Sequence, residues 1–307
     1  MSRIDIVSIG EPMIEFNQTR PGEPNYQQGF GGDTSNITIA AARSGAVTAY
    51  VTRIGDDEFG RMFLKLWKDE GVDTRGVSVD HGAYTGAYVV THGPQGHVFS
   101  YLRTGSAASR LQPDDVPAEL IKQTRYVIAS GISMAISTSA ADAVLAAFDL
   151  GRASGAKIAF DPNVRAKLWP LARARAMIQA AAGSADFFFP SVEDARALSG
   201  AEDTDANLDW AHRLGAKTVF LKMGAKGVIV SDGTRREAYR GLAVTAVDAT
   251  GAGDCFCGAV LARLAAGDSI WEAARYANVA AALATTWFGA VQPLPRAEAV
   301  RRLMPRP

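Results

Sequence analysis

Two kinds of segment alternate along the chain from about residue 35 onward. Short runs rich in β-branched and aromatic residues give way to longer, Ala-rich runs whose apolar positions recur at helical spacing. Residues 4–9 read as a first strand, 36–44 as a helix and 48–54 as a strand. A helix follows over 58–70, with Phe59, Met62, Phe63 and Leu66 on one face, completing one βαβ pass. Further strands are predicted at 126–129, 157–160, 187–189, 218–222 and 227–231. Helices near 138–153, 171–182, 193–199 and 205–214 separate them. Repeated βα units of this kind predict an α/β fold: a doubly wound, mostly parallel sheet flanked by helices.

Residues 11–31 and 83–103 break that rhythm and look like hairpin strands. The second pair is 85–91 and 97–103, around Gly93-Pro94-Gln95-Gly96, whose residues suit a tight turn. Two such interruptions assemble most simply into one small antiparallel sheet over the main sheet's edge. The domain organisation expected is therefore an α/β body of residues 1–10, 32–82 and 104–307, with a β lid of residues 11–31 and 83–103. An edge extension without catalytic meaning is the other reading of the same pattern.

Composition narrows the class of protein. Hydrophobic residues make up 48% and charged residues 21% of the 307 positions, values usual for an ordered globular chain. Lys plus Arg equals Asp plus Glu at 32 each, so no global field recruits nucleic acid or an anionic membrane surface, and an anion must be bound locally. The first ten residues carry Arg3 and Asp5 and lack a secretory signal's apolar run, and nothing in the chain is long and apolar enough for a membrane span. A soluble, cytoplasmic protein is expected. Cys255 and Cys257, one residue apart, suit neither a disulfide framework nor a zinc knuckle and read as reduced packing residues. His81, His92, His97 and His212 are scattered without ligand spacing, so no dedicated transition-metal site is expected.

The segment richest in chemistry is Val247-Asp248-Ala249-Thr250-Gly251-Ala252-Gly253-Asp254, followed by a helical run over 255–266 and then Gly267. Here a Gly-rich turn opens a helix. Backbone N–H groups at a helix start lack internal partners and carry partial positive charge, so they form an anion site without Lys or Arg. Asp254 falls in the first turn, where it can accept a proton from a hydroxyl lying between it and a phosphoryl group. The same residue can equally be an ordinary acid stabilising the helix dipole. The Lys-Ser/Thr ending of a P-loop is absent here, and no dinucleotide fingerprint follows the first strand.

Residues 248–254 resemble the signature of the ribokinase-like, phosphofructokinase-B-type sugar kinases. Phe30-Gly31-Gly32-Asp33-Thr34-Ser35-Asn36 resembles that family's Gly-Gly segment leading into the helix that contacts the sugar. Arg53-Ile54-Gly55-Asp56-Asp57-Glu58-Phe59-Gly60 agrees as well, and Leu221-Lys222-Met223-Gly224-Ala225-Lys226-Gly227 is similar to its nucleotide-side loop. The matches run in order over nearly the whole chain. The resemblance implies that Asp254 is the base and that the amides of Gly251, Ala252 and Gly253 hold the transferring phosphoryl group. It implies that Gly31, Gly32, Asp33 and Asn36 meet the sugar. Ser191, Lys222, Gly224, Gly227, Thr250 and Asn278 would lie along ATP. Read alone, the 222–227 loop is a turn and Asn278 a polar residue on an apolar helix.

Magnesium in this family goes with an Asn-x-x-Glu motif, which reads Ser191-Val192-Glu193-Asp194 in this chain, a departure that leaves Asp194 and Glu193 as the Mg2+ candidates. Asp161 and Asn163 are further candidates. A monovalent cation near the Thr250 and Gly289 segments and a homodimer through the lid are also implied by the resemblance.

Within the family the chain looks most like the 2-keto-3-deoxygluconate kinases. Tyr101-Leu102-Arg103-Thr104-Gly105-Ser106-Ala107-Ala108, Ser130-Gly131-Ile132-Ser133 and Asp161-Pro162-Asn163-Val164-Arg165 carry that likeness. A sugar acid has a carboxylate, which Arg103 and Arg165 can grip through paired charge-assisted hydrogen bonds. Tyr88 and Tyr101, on the lid strands, can pack on its carbon chain, or simply stabilise the hairpin. Gly289-Ala290-Val291-Gln292-Pro293 resembles instead the C-terminal segment of neutral-sugar kinases such as fructokinases. A non-catalytic sugar-binding protein would need no Asp254 beside an anion turn. A Rossmann-type oxidoreductase would need the missing fingerprint.

Overall fold

The computed structural model describes residues 3–93 and 96–304, apart from the side chain of His97. Its strands are β1 (Ile4–Ile9), β2 (Met13–Gln18), β3 (Tyr26–Gly31), β4 (Thr48–Gly55), β5 (Asp73–Asp80), β6 (Ala87–Gly93), β7 (Gly96–Leu102), β8 (Thr124–Ser130), β9 (Lys157–Asp161), β10 (Phe187–Phe188), β11 (Thr218–Lys222), β12 (Val228–Ser231) and β13 (Arg236–Tyr239). Nine of them form the main sheet, in the order β13-β12-β11-β10-β9-β8-β1-β4-β5. Every neighbouring pair from β11 to β5 is parallel, and only β12 and β13 turn antiparallel at one edge.

A parallel sheet is stable only when both faces are covered, and its central strands then read as unbroken apolar runs. In β1, Ile4, Ile6, Val7 and Ile9 are all buried. Ile6 faces one core with Ile37, Phe63, Trp67, Phe256 and Tyr276. Val7 and Ile9 face the other, with Val144, Phe148, Ile178, Leu198 and Leu208. The helices Asp33–Arg43, Glu58–Asp69, Ala252–Ala266 and Ile270–Ala284 therefore cover one face. Those at Thr138–Ala153, Leu171–Gly183, Val192–Ser199 and Thr204–Leu214 cover the other. This is the doubly wound arrangement that the alternation predicts.

Two strands were not legible. β5 is a half-exposed edge whose sequence Asp-Thr-Arg-Gly-Val-Ser-Val-Asp offers only two large apolar side chains. β13 is a short, largely exposed partner of β12. Two helices also begin three residues before their predicted starts, at Asp33 and Ala252, in each case directly behind a glycine in the left-handed region. Gly32 has φ 96° and Gly251 φ 76°. A Cβ on Gly32 would overlap the carbonyl oxygen of Glu11, so the chain there needs both the conformation and the absence of a side chain.

The four remaining strands form a second sheet, in the order β3-β2-β6-β7. It consists of two antiparallel hairpins joined through a parallel β2–β6 pair. The parallel join has a simple cause. β2 follows β1 and β6 follows β5, and these two strands of the parallel sheet end at the same edge. The chain therefore enters the second sheet twice in the same direction. The predicted turn residues Pro94 and Gln95 lie outside the described residues.

One close approach sets the geometry of everything above that edge. The helices Asp33–Arg43 and Ala252–Ala266 cross at Gly258. A Cβ there would overlap the carbonyl oxygen of Ile37 and come within 2.9 Å of Ala41 N. Arg43 then ties the first helix to the C-terminal segment, donating to Glu70 Oε1 at 2.8 Å and to the carbonyls of Val291 at 2.9 Å and Leu294 at 2.6 Å. Gly258→Ala is expected to push the two helices apart and lower stability by about 1–3 kcal/mol, the usual cost of overpacking. Chemical denaturation of the variant beside the parent measures it.

Candidate active site

Four chain segments meet outside the carboxyl edge of the main sheet, the usual ligand face of an open α/β sheet. They are Gly31–Asn36, leading from β3 into its helix; Asp161–Asn163 after β9; Lys222 at the end of β11; and the helix start at Gly251. Side-chain bonds bring them together. Asn36 Nδ2 donates to Asp254 Oδ2 at 2.8 Å. Asn163 Nδ2 donates to Asp33 Oδ2 at 2.9 Å. Lys222 Nζ donates to Asp161 Oδ2 at 2.6 Å, and the Cys257 thiol approaches the same oxygen at 3.4 Å. Asn163 holds φ 32°, the one non-glycine with positive φ among the described residues, and so marks a strained turn within this cluster.

Asp254 is the third residue of its helix and is 9% exposed. Burial pushes its carboxyl up to about 7, and the negative charge of Asp33 pushes in the same direction. The hydrogen bond from Asn36 and the more distant Lys222 ammonium act against that rise. A carboxyl held there is substantially ionised near neutral pH and also basic enough to take a proton from a hydroxyl. Just before it, the helix geometry leaves the N–H groups of Gly253 and Asp254 without carbonyls four residues back inside the helix. Of the predicted amides of Gly251, Ala252 and Gly253, that of Ala252 turns to Ala249 O at 3.2 Å. Lys222 Nζ flanks this turn, 3.4 Å from where a Gly253 Cβ would stand. Burial lowers its proton affinity, but the charge and hydrogen bond of Asp161, together with Cys257 and Asp194, outweigh burial and hold the Lys222 ammonium above its usual value.

The residues expected on the sugar side fall into two groups. Gly31, Gly32, Asp33, Asn36, Tyr88 and Tyr101 come together. Tyr88 and Tyr101 are direct cross-strand partners with ring centroids 6.0 Å apart, and the Tyr88 hydroxyl lies close against Gly31, where a Cβ would overlap it. That hydroxyl donates to the buried Glu15 at 2.6 Å. Beyond Glu15 a cavity of about 640 Å³ runs between β3 and the loop at Phe288–Gln292. Arg103 is buried but is not a free cation: it pairs with the fully enclosed Glu11, and its guanidinium also lies over the Tyr101 ring at 5.4 Å. Arg165 does not reach the cluster; it is exposed and donates to the carbonyl of Val164.

The nucleotide-side residues are partly occupied by structural bonds. Ser191 caps the Val192–Ser199 helix by accepting from Asp194 N, while Asn278 Nδ2 donates to Arg240 O at 2.6 Å. Gly224 and Gly227 hold the turn after β11 at positive φ. Thr250 bonds Asp248 Oδ1 at 2.6 Å, and Gly289 N donates to Asp248 Oδ2 at 3.0 Å, so one carboxylate joins the two segments singled out for a monovalent ion. Asp194 is buried near Asp161. It accepts from Val164 N at 2.9 Å and caps its own helix, and burial together with the Asp161 charge raises its carboxyl. Glu193 is exposed and stands apart from the cluster. No group of three or more Asp, Glu, His or Cys suited to a metal occurs among the described residues.

Sequence reasoning passed over Glu11 and Glu15 and gave Cys257 only a packing role. Glu11 lies in the short link between β1 and β2 and Glu15 within β2, and nothing local in the sequence signals that both carboxylates are buried.

A two-sheet α/β fold with a glycine-opened helix start beside a buried, neutral-range carboxyl is the construction of a phosphoryl-transfer enzyme acting on a hydroxyl. Residues 3–297 match the pfkB family carbohydrate kinase profile. A 2-dehydro-3-deoxygluconokinase from Thermoproteus tenax is 35% identical over 98% of this chain and 94% of its own length. A probable fructokinase-3 from Arabidopsis thaliana is 33% identical over 94% and 88%. The crystal structure of fructokinase from Vibrio cholerae O395, in its fructose, ADP and calcium ion bound form, superposes with a TM-score of 0.89. It is 29% identical and covers 98% of this chain and 99% of that one. The chain belongs to the pfkB family of carbohydrate kinases. Among the described residues no helix is long and apolar enough to cross a membrane.

Carboxyl-labelled protein followed by 13C NMR is expected to give a midpoint near 7 for Asp254. The Asn36→Ala variant should move it upward, because the anion loses its donor while burial and the Asp33 charge remain. An unchanged midpoint in that variant would count against the hydrogen bond as a determinant.

Proposed function

We propose that this chain phosphorylates the terminal hydroxyl of a sugar acid, 2-keto-3-deoxygluconate, with MgATP as donor, in the cytoplasm. The observation that carries the transfer step is Asp254 itself: a carboxyl raised to about 7 in the first turn of a glycine-opened helix, oriented by Asn36. Asp254 takes the proton from the hydroxyl as that oxygen attacks in line. The helix-start amides and Lys222 hold the negative charge of the transferring group, and such positioning and charge stabilisation supply most of the catalysis in phosphoryl transfer. The lid of residues 11–31 and 83–103 excludes water, which limits wasteful hydrolysis of the donor.

The metal fits this reading as a passenger of the nucleotide. Magnesium is usually held by one or two carboxylates together with substrate phosphates and waters. Asp161 and Asp194 would serve it from beside Lys222, and the ion would supply charge neutralisation of the phosphates.

Support for an acidic sugar comes from Arg103, whose Nε–H is buried with no hydrogen-bond partner in the protein. An unmet buried donor on a cation is costly unless something fills it, and a substrate carboxylate would. The likeness to the Thermoproteus tenax 2-dehydro-3-deoxygluconokinase agrees. A neutral ketose is the second reading, favoured by the pairing of Arg103 with Glu11 and by the exposure of Arg165.

An ADP-release assay with MgATP comparing 2-keto-3-deoxygluconate with fructose decides between them. Clear preference for the keto acid is expected, and preference for fructose would replace the substrate while keeping the kinase. Asp254→Asn is expected to lower kcat by roughly 10²- to 10⁴-fold, the span of general-base catalysis, with the fold intact. Undiminished turnover in that variant would remove the base from Asp254.

A further inference from the structure

The second sheet joins the main body through four crossings of the chain, and all four meet at Glu11. Glu11 is itself the first crossing, between β1 and β2. Its carbonyl oxygen occupies the place a side chain on Gly32, just after β3, would need. Its Oε1 lies 3.1 Å from where a Cβ would stand on Gly86, just before β6. After β7, Arg103 Nη2 donates to Oε2 and Ser106 Oγ to Oε1 at 3.0 Å. The side chain is completely enclosed.

An enclosed carboxylate at a hinge could be structural only, but the state of its partner argues for more. Arg103 uses Nη2 on Glu11, lies over Tyr101 on the side where the sugar residues gather, and keeps Nε buried and unmet. A guanidinium can serve two carboxylates through different edges. Here one edge is filled by the protein and another, enclosed, has no protein partner.

We propose that Glu11 is a positioning and specificity-determining residue: it aims the open edge of Arg103 at the substrate's carboxylate, and as a built-in competing anion it limits how strongly the site prefers an acidic sugar over a neutral one. This rests on the sugar-acid reading above. The charged and titratable groups facing Glu11 are Arg103, Asp33 and Tyr50, with Ser106 as a neutral donor. Of these Arg103 alone is a cation, so a substrate carboxylate arriving at its open edge meets a cation already half spent.

The test is steady-state kinetics of Glu11→Gln and Glu11→Asp beside the wild type, varying the keto acid and ATP separately. Gln keeps one acceptor oxygen for Arg103 and turns its NH2 as a donor to the Ser106 hydroxyl, while removing the competing charge. KM for 2-keto-3-deoxygluconate should fall about tenfold, the effect of removing one like charge across a partly screened site, with KM for ATP unmoved. Asp keeps the charge but draws Arg103 back, so its KM for the keto acid should rise instead. A merely structural Glu11 would disturb both substrates alike in both variants, and that outcome overturns the proposal, as does an unchanged KM for the keto acid. Should Glu11→Gln fail to fold, the Asp variant decides alone: a rise confined to the keto acid supports the proposal, and any other pattern overturns it. If the wild type does not turn over the keto acid at all, the substrate reading falls and this inference with it, whereas wild-type turnover with an unaltered KM in the variants removes this inference only.

Discussion

The hydrogen bond from Asn36 to Asp254 spans two helices that are 218 residues apart in the chain, and it exists because Gly258 lets those helices touch backbone to backbone. A larger residue at that crossing would move Asp254 away from Asn36. It would also move the helix-start amides away from the Gly31–Gly32 segment that ends the second sheet. The chemistry of the site thus depends on a packing contact made of almost no side chain at all.

Around that contact the protein gathers more buried acid than base. Asp33, Asp161, Asp194, Asp254, Glu11 and Glu15 are all enclosed, and the buried Arg103 and half-buried Lys222 are set among them. Burying an ion costs several kcal/mol unless it is paired or bonded, and the structure meets that cost in different ways at different positions. Asp161 takes Lys222, Asp194 takes a helix cap and a backbone amide, and Glu11 takes Arg103 and Ser106. Asp254 receives the neutral amide of Asn36, and burial with the Asp33 charge raises its carboxyl to about 7.

The second sheet follows from the same edge of the main sheet. Because β1 and β5 end side by side in direction, the two excursions enter in parallel and fold back as hairpins. Their returns converge on one enclosed carboxylate. There an ion pair rather than apolar packing ties the segment of Tyr101 and Arg103 to Glu11.

Much of this was legible beforehand. The βα alternation, the glycine turn before Asp254, the Gly31–Gly32 segment and the two interruptions are all local patterns of spacing and backbone freedom, and such patterns survive without tertiary information. Edge strands β5 and β13 were not legible, because half-exposed strands need no apolar run. The site residues divide along the same line. A motif could nominate Asp254, Asn36 and Lys222, since their positions are tied to nearby turns. That Arg103 is spent on Glu11, that Arg165 and Glu193 face outward, and that Asn278 serves the Arg240 carbonyl were decided only when distant segments packed together. Sequence by itself determined which backbone shapes and which functional groups this protein has. Tertiary structure decided which charges are neutralised, because Coulomb attraction and the cost of losing water depend on distance and enclosure and not on order along the chain.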